Sequence, residues 1–78
     1  MNKFVNDILF KAYQHYIKCR KTYTYIIPDN INNNDLKELY AALKYIQKNG
    51  YAFVIVDNIC IVVIRITSLG IEYAKNIN

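Results

Sequence analysis

Lys37, Lys44 and Lys48 fall within one arc of a helix when successive residues are stepped by about 100°. Ala41 and Tyr45 share that arc, so three ammonium groups and a phenol surround a small alanine. This set suits a polyanion. Lysines neutralise phosphates or reach guanine O6 and N7 in the major groove, and a tyrosine contacts a phosphate or a thymine methyl. With the helix read from Leu36, no Arg, Gln or Asn lies on the arc, which predicts strong phosphate positioning and thin base readout. Asn32, Asn33 and Asn34, just ahead of the helix, add amide donors for phosphate and the means to read adenine from a helix N-terminus.

Other reactive side chains are sparse. His15 is the single imidazole and has no Ser or Cys at a spacing that would make a nucleophilic pair. Cys19 and Cys60 form no CxxC pair, and one His cannot complete a Cys2His2 zinc site, so both read as reduced thiols and no metal is expected. The acids Asp7, Asp29, Asp35, Asp57, Glu38 and Glu72 mostly suit turns and caps, and no glycine-rich phosphate loop is present. The expectation is a binding protein, not an enzyme, with no cofactor. Eight tyrosines invite base stacking on single strands. Tyr13, Tyr16, Tyr40 and Tyr73 fall on core-facing stripes, leaving Tyr23, Tyr25, Tyr45 and Tyr51 as candidate surface aromatics.

Positioning these residues takes one small domain over residues 1–78. A chain of 78 residues that is 54% hydrophobic and 21% charged, with two Gly and one Pro, is too apolar for a disordered tail. Ten Lys plus Arg against six Asp plus Glu leave a net charge of +4. Asp7 and Lys11 interrupt what would have to be the apolar run of a signal peptide. The most apolar stretch, Tyr51 to Ile66, contains Asp57, Asn58 and Arg65 and falls short of the roughly 20 residues of a membrane helix. A cytoplasmic, non-membrane protein is expected.

Apolar residues at three- and four-residue steps from Phe4 to Ile17 predict a first helix ending near Arg20. The alternating Thr-Tyr-Thr-Tyr of Thr22 to Ile27 predicts a short strand, and Pro28 with the asparagines after it predicts a helical turn. Asp35 as N-cap with Glu38 three residues on predicts a helix over Leu36 to Lys48, closed by Asn49-Gly50. Tyr51 to Val56 and Ile59 to Ile66 then read as two strands joined by the tight pair Asp57-Asn58. Thr67 or Ser68 caps a last short helix. The fold class is α+β: helix, short strand, helical turn, helix, hairpin, helix.

Two segments resemble the winged helix-turn-helix DNA-binding family. Leu36 to Tyr51, LKELYAALKYIQKNGY, looks like its recognition helix and the turn into the wing; Ile66 to Lys75, ITSLGIEYAK, looks like the segment that follows the wing. The resemblance implies duplex DNA contacted by Asn33, Asn34, Lys37, Ala41, Lys44, Tyr45, Lys48 and Arg65. The small size is similar to that of the TubR proteins of plasmid and phage segregation systems, which implies dimers on repeated centromere sites and a tubulin-like GTPase as second partner; a small transcriptional repressor is the competing use.

The hairpin is apolar on both faces, whereas a half-buried antiparallel sheet should alternate with polar residues. One face covers the helices. Composition alone does not say which face that is; the one with Tyr51, Phe53 and Ile55 on one strand and Ile59, Ile61 and Val63 on the next is assigned to a second copy in a homodimer, together with the terminal helix. The rival reading is a winged-helix module that binds protein through this hairpin and has no DNA role; the uncharged wing tip favours it and the lysine face opposes it.

Overall fold

The protein is described by a computed structural model covering residues 3–27, 32–57 and 61–77. The elements run α1 (Lys3–Cys19), β1 (Tyr23–Ile26), α2 (Asn33–Lys48), β2 (Ala52–Asp57), β3 (Val62–Ile66) and α3 (Ser68–Lys75). The strands form one antiparallel sheet in the order β1-β3-β2. The α+β class expected from the sequence is observed. Of the helical turn expected from Pro28 and the asparagines after it, residues 28–31 lie outside the described residues, as do Asn58, Ile59 and Cys60, while Asn32 to Asn34 cap and begin α2.

α1 and α2 form because each carries one apolar stripe that the other helix and the sheet cover, whereas α3 packs on α1. Val5, Ile8, Leu9 and Ala12 of α1 and Leu39, Ala42, Leu43 and Ile46 of α2 are buried together against Ala52, Val62, Ile64 and Ile66 of the sheet. Ile17, expected on the α1 stripe, is 47% exposed in the last turn of the helix. Arg20 follows α1 with a positive φ of 58°, and its N–H still closes the helix on the Tyr16 carbonyl at 2.8 Å.

The start of α2 corrects the sequence reading. The cap is Asn32, whose side-chain oxygen accepts the Asp35 N–H at 2.8 Å while its amide donates to the Asp35 carboxylate at 3.3 Å. Four residues in a row, Asn32 to Asp35, are of types that can cap, so the sequence offered several starts, and the helix uses the earliest. At the other end Gly50, at φ 75°, reverses the chain: the Tyr51 N–H reaches the Ile46 carbonyl at 3.0 Å and the Gly50 N–H reaches that of Gln47 at 3.1 Å. That bond pair is a Schellman cap, which needs the left-handed residue that glycine supplies.

The hairpin register also differs from the expected one. Asp57 pairs with Val62, so residues 58–61 connect the strands in place of a two-residue turn, and the ladder shifts between Val54 and Val56. The Asp57-Asn58 pair lacks the glycine of the strongest two-residue hairpin turns. The bulge also turns Val56, expected beside Ala52 and Val54, to 38% exposure. No helix among the described residues is long and apolar enough to cross a membrane.

Candidate nucleic-acid interface

α2 packs its buried stripe on α1 and β2 and turns the opposite side outward. Lys37, Ala41, Lys44, Tyr45 and Lys48 are all exposed on that side. From Lys37 to Lys48 the face runs about 16 Å along the axis at 1.5 Å per residue, longer than the roughly 12 Å width of a major groove. None of the three lysines is held in an ion pair among the described residues; the pair that is formed, Lys75 with Glu72 at 3.5 Å, lies on α3. Their charge is available to an outside anion.

The earlier start of α2 changes what this face can read. Asn33 and Asn34 belong to the first turn of the helix, and both are exposed. Asn34, Ala41 and Lys48 are spaced by seven residues and so lie within about 20° of one line along the helix. The arc therefore carries one amide, the side chain that pairs with adenine N6 and N7 in a major groove. Placing the N-cap at Asp35 hid this; the run Asn32-Asn33-Asn34 was the signal that could have found it. Glu38 is also exposed, on the flank beside Tyr45.

Arg65 is not part of this surface. It sits in the central strand on the face of the sheet turned away from the helices, its guanidinium carbon 5.7 Å from the Phe53 ring centroid. The chain matches no protein-family model, no curated protein and no solved structure. Function must be read from the geometry.

The outer face of the sheet holds most of the expected dimer residues. Phe53 and Ile55 are 44% and 49% exposed, and Ile61 and Val63 are half-buried. The patch continues onto β1 through Tyr23 and Tyr25, which are 48% and 65% exposed. In register, Tyr23, Arg65 and Phe53 form one row across the three strands. Tyr51 stands off this face, packed on the core with its ring 4.6 Å from that of Tyr73. Ile59 lies outside the described residues.

His15 is half-buried beside Lys11, Thr24, Tyr25 and Ile27 in a groove of about 370 Å³ between α1 and β1. Cys19 is exposed and unbridged. Among the described residues no group of three or more His, Cys, Asp or Glu side chains could hold a metal ion.

Proposed function

We propose that the protein binds duplex DNA as a homodimer, laying the exposed face of α2 in the major groove. The observation that carries this reading is the cluster of Lys37, Lys44 and Lys48, exposed around Ala41, in line with Asn34 and without an ion pair among the described residues. In this reading the lysines neutralise phosphates and set the register, Tyr45 packs on the backbone or a thymine methyl, and Asn34 reads adenine. Asn33 donates to phosphate from the first turn.

The sheet order β1-β3-β2 and the run α1, β1, α2, β2, β3, α3 support a winged helix with β2 and β3 as the wing, although its second helix is not among the described elements. In that scheme the helix preceding the recognition helix falls on Pro28 to Ile31, outside the described residues. The wing carries Asp57 near its tip and no described lysine, so major-groove contact through α2 has to supply the affinity. As a compact module of this kind, the protein serves as a centromere-binding partition adaptor with a tubulin-like GTPase partner, or as a small repressor. Neighbouring genes separate the two uses.

The outer sheet face supports a second reading, a protein-interaction module without DNA contact, because Phe53, Ile55 and Tyr25 are exposed there together. Fluorescence anisotropy with the DNA flanking the gene, against a shuffled duplex, decides between them. DNA binding predicts tight, salt-sensitive association that prefers the native flank and is abolished by the triple change Lys37→Glu, Lys44→Glu and Lys48→Glu in a folded protein. Absence of binding to either duplex favours the interaction module.

A further inference from the structure

The two edges of the sheet are treated differently. On the β2 edge the outward N–H of Val54 is taken by the Gln47 side-chain oxygen at 2.8 Å, a bulge breaks the strand between Val54 and Val56, and Asp57 ends it. These are the devices by which an edge is kept from pairing with another chain. The β1 edge carries none of them. Tyr23–Ile26 is uncharged and free of proline, and its register with β3 is unbroken.

The phase of the ladder shows which main-chain groups β1 leaves open. Ile66 donates to the Thr22 carbonyl at 3.0 Å, so Thr22, Thr24 and Ile26 turn their main-chain groups toward β3. Tyr23 and Tyr25 turn theirs outward, and among the described residues nothing accepts or donates to them. A third group on this edge is also unmatched. Thr24 is 6% exposed, and its Oγ1 has no hydrogen-bond partner among the described residues.

We infer that a second copy of the chain pairs along β1, antiparallel and about a two-fold axis at Thr24, joining the two sheets into one of six strands. This deepens the homodimer part of the function proposed above and rests on it. In this register Tyr23 faces the partner subunit's Tyr25 and Tyr25 faces the partner's Tyr23, each pair exchanging two main-chain hydrogen bonds. The two-fold makes the contact isologous, so one edge satisfies both copies.

Thr24 then faces the partner's Thr24 in the close, non-hydrogen-bonded position, where cross-strand threonine hydroxyls bond to each other. The buried Oγ1 gains the partner it lacks within one chain. On the outer face the tyrosines form cross-strand aromatic pairs, and within the strand pair Lys21 comes opposite the partner's Ile27. An extended peptide from another protein would satisfy the outward main-chain groups equally well, but only a second copy matches the Thr24 hydroxyl in this way.

Sedimentation velocity at micromolar concentration, with amide hydrogen exchange, tests the pairing. The expected species has twice the 9.2 kDa chain mass, with the Tyr23 and Tyr25 amides protected in a concentration-dependent way. Tyr25→Pro removes an outward N–H and the ring of one aromatic pair but no main-chain bond to β3, and should give a folded monomer. Thr24→Val should raise the dimer Kd about tenfold, the loss of one hydrogen bond. Tyr23→Lys with Tyr25→Lys sets like charges opposite each other and should dissociate the dimer; Tyr23→Lys with Tyr25→Glu sets opposite charges there and should restore it, which keeps the test open if the proline variant fails to fold.

A monomeric wild-type chain would overturn this pairing and the homodimer together, leaving DNA binding by single domains to the anisotropy measurement. A dimer that survives Tyr25→Pro but dissociates with Phe53→Asp and Ile55→Asp would overturn the edge pairing alone and place the partner on the outer sheet face. A monomer whose Tyr23 and Tyr25 amides become protected only with an added extended peptide would likewise overturn it.

Discussion

A methyl group on Gly70 would lie 1.9 Å from the carbonyl oxygen of Tyr51. α3 therefore crosses directly over the backbone that leaves α2, at a separation that only a glycine permits. The same crossing is tied by Thr67, which donates its hydroxyl to the Gly50 carbonyl at 2.6 Å, accepts the Gly70 N–H at 3.1 Å and sends its own N–H to the Tyr51 carbonyl at 3.0 Å. Thr67, Gly70 and Tyr73 are thus one device that fixes the end of the candidate recognition helix to the C-terminal helix.

Gly70→Ala should cost about 3 kcal/mol of stability by overpacking against backbone, although alanine is the better helix former by about 1 kcal/mol. Urea denaturation followed by circular dichroism measures the loss. A neutral result would mean that α3 can shift away from Tyr51.

Thr67→Ala removes the N-cap of α3 and the tie to Gly50 together, so a loss of about 2 kcal/mol, the upper end for a cap, is expected. Thr67→Ser keeps the hydroxyl and should retain most of the stability. Equal losses in the two variants would assign the effect to the methyl group's packing.

The Tyr73 hydroxyl donates to the Asn6 side-chain oxygen at 2.7 Å. Partial burial first, and then the neighbouring Tyr45 and Tyr51 hydroxyls, hold its pKa above the ordinary value of 10.0. Since the folded state resists ionisation, the unfolded chain loses this proton first as pH rises. The contribution is complete below the unfolded tyrosine pKa and is lost as pH climbs through the raised folded one. Thermal melts on either side of about pH 10 should show a steeper alkaline decline for the wild type than for Tyr73→Phe.

For DNA, each lysine of the α2 face that contacts a phosphate should contribute about 0.9 to the slope of log affinity against log salt. Lys44→Ala should lower that slope by about 1 per protomer with little change in sequence preference, whereas Asn34→Ala should cost about 1–3 kcal/mol at one base pair and leave the slope alone. Anisotropy titrations over a range of salt separate the two effects.

Arg20 holds a left-handed backbone at φ 58°, a region that costs a non-glycine residue about 1–2 kcal/mol. Arg20→Gly should raise the melting temperature by a few degrees, about 4–8 °C per kcal/mol gained for a domain of this size. A lowered melting temperature would show that the arginine side chain contributes more than its backbone costs.

The sequence by itself determined the order of the elements and the two sides of α2. Both follow from local physics, the 3.6-residue period of the apolar stripe and the residues that stop a helix, so spacing alone separates Leu39, Leu43 and Ile46 from Lys37, Lys44 and Lys48. The start of α2 was locally degenerate, because Asn32 to Asp35 can each cap; only the bonds made by Asn32 settle it, and with it the place of Asn34 on the face. Which side of the hairpin is buried was likewise undetermined, since both are apolar, and packing against α1 and α2 decided it by covering Ala52, Val62 and Ile64 and leaving Phe53 and Ile55 open. The bare β1 edge and the unmatched Thr24 hydroxyl exist only once β3 lies between β1 and β2, because the edge of a sheet is a property of strand order in space and not of the strand's own residues.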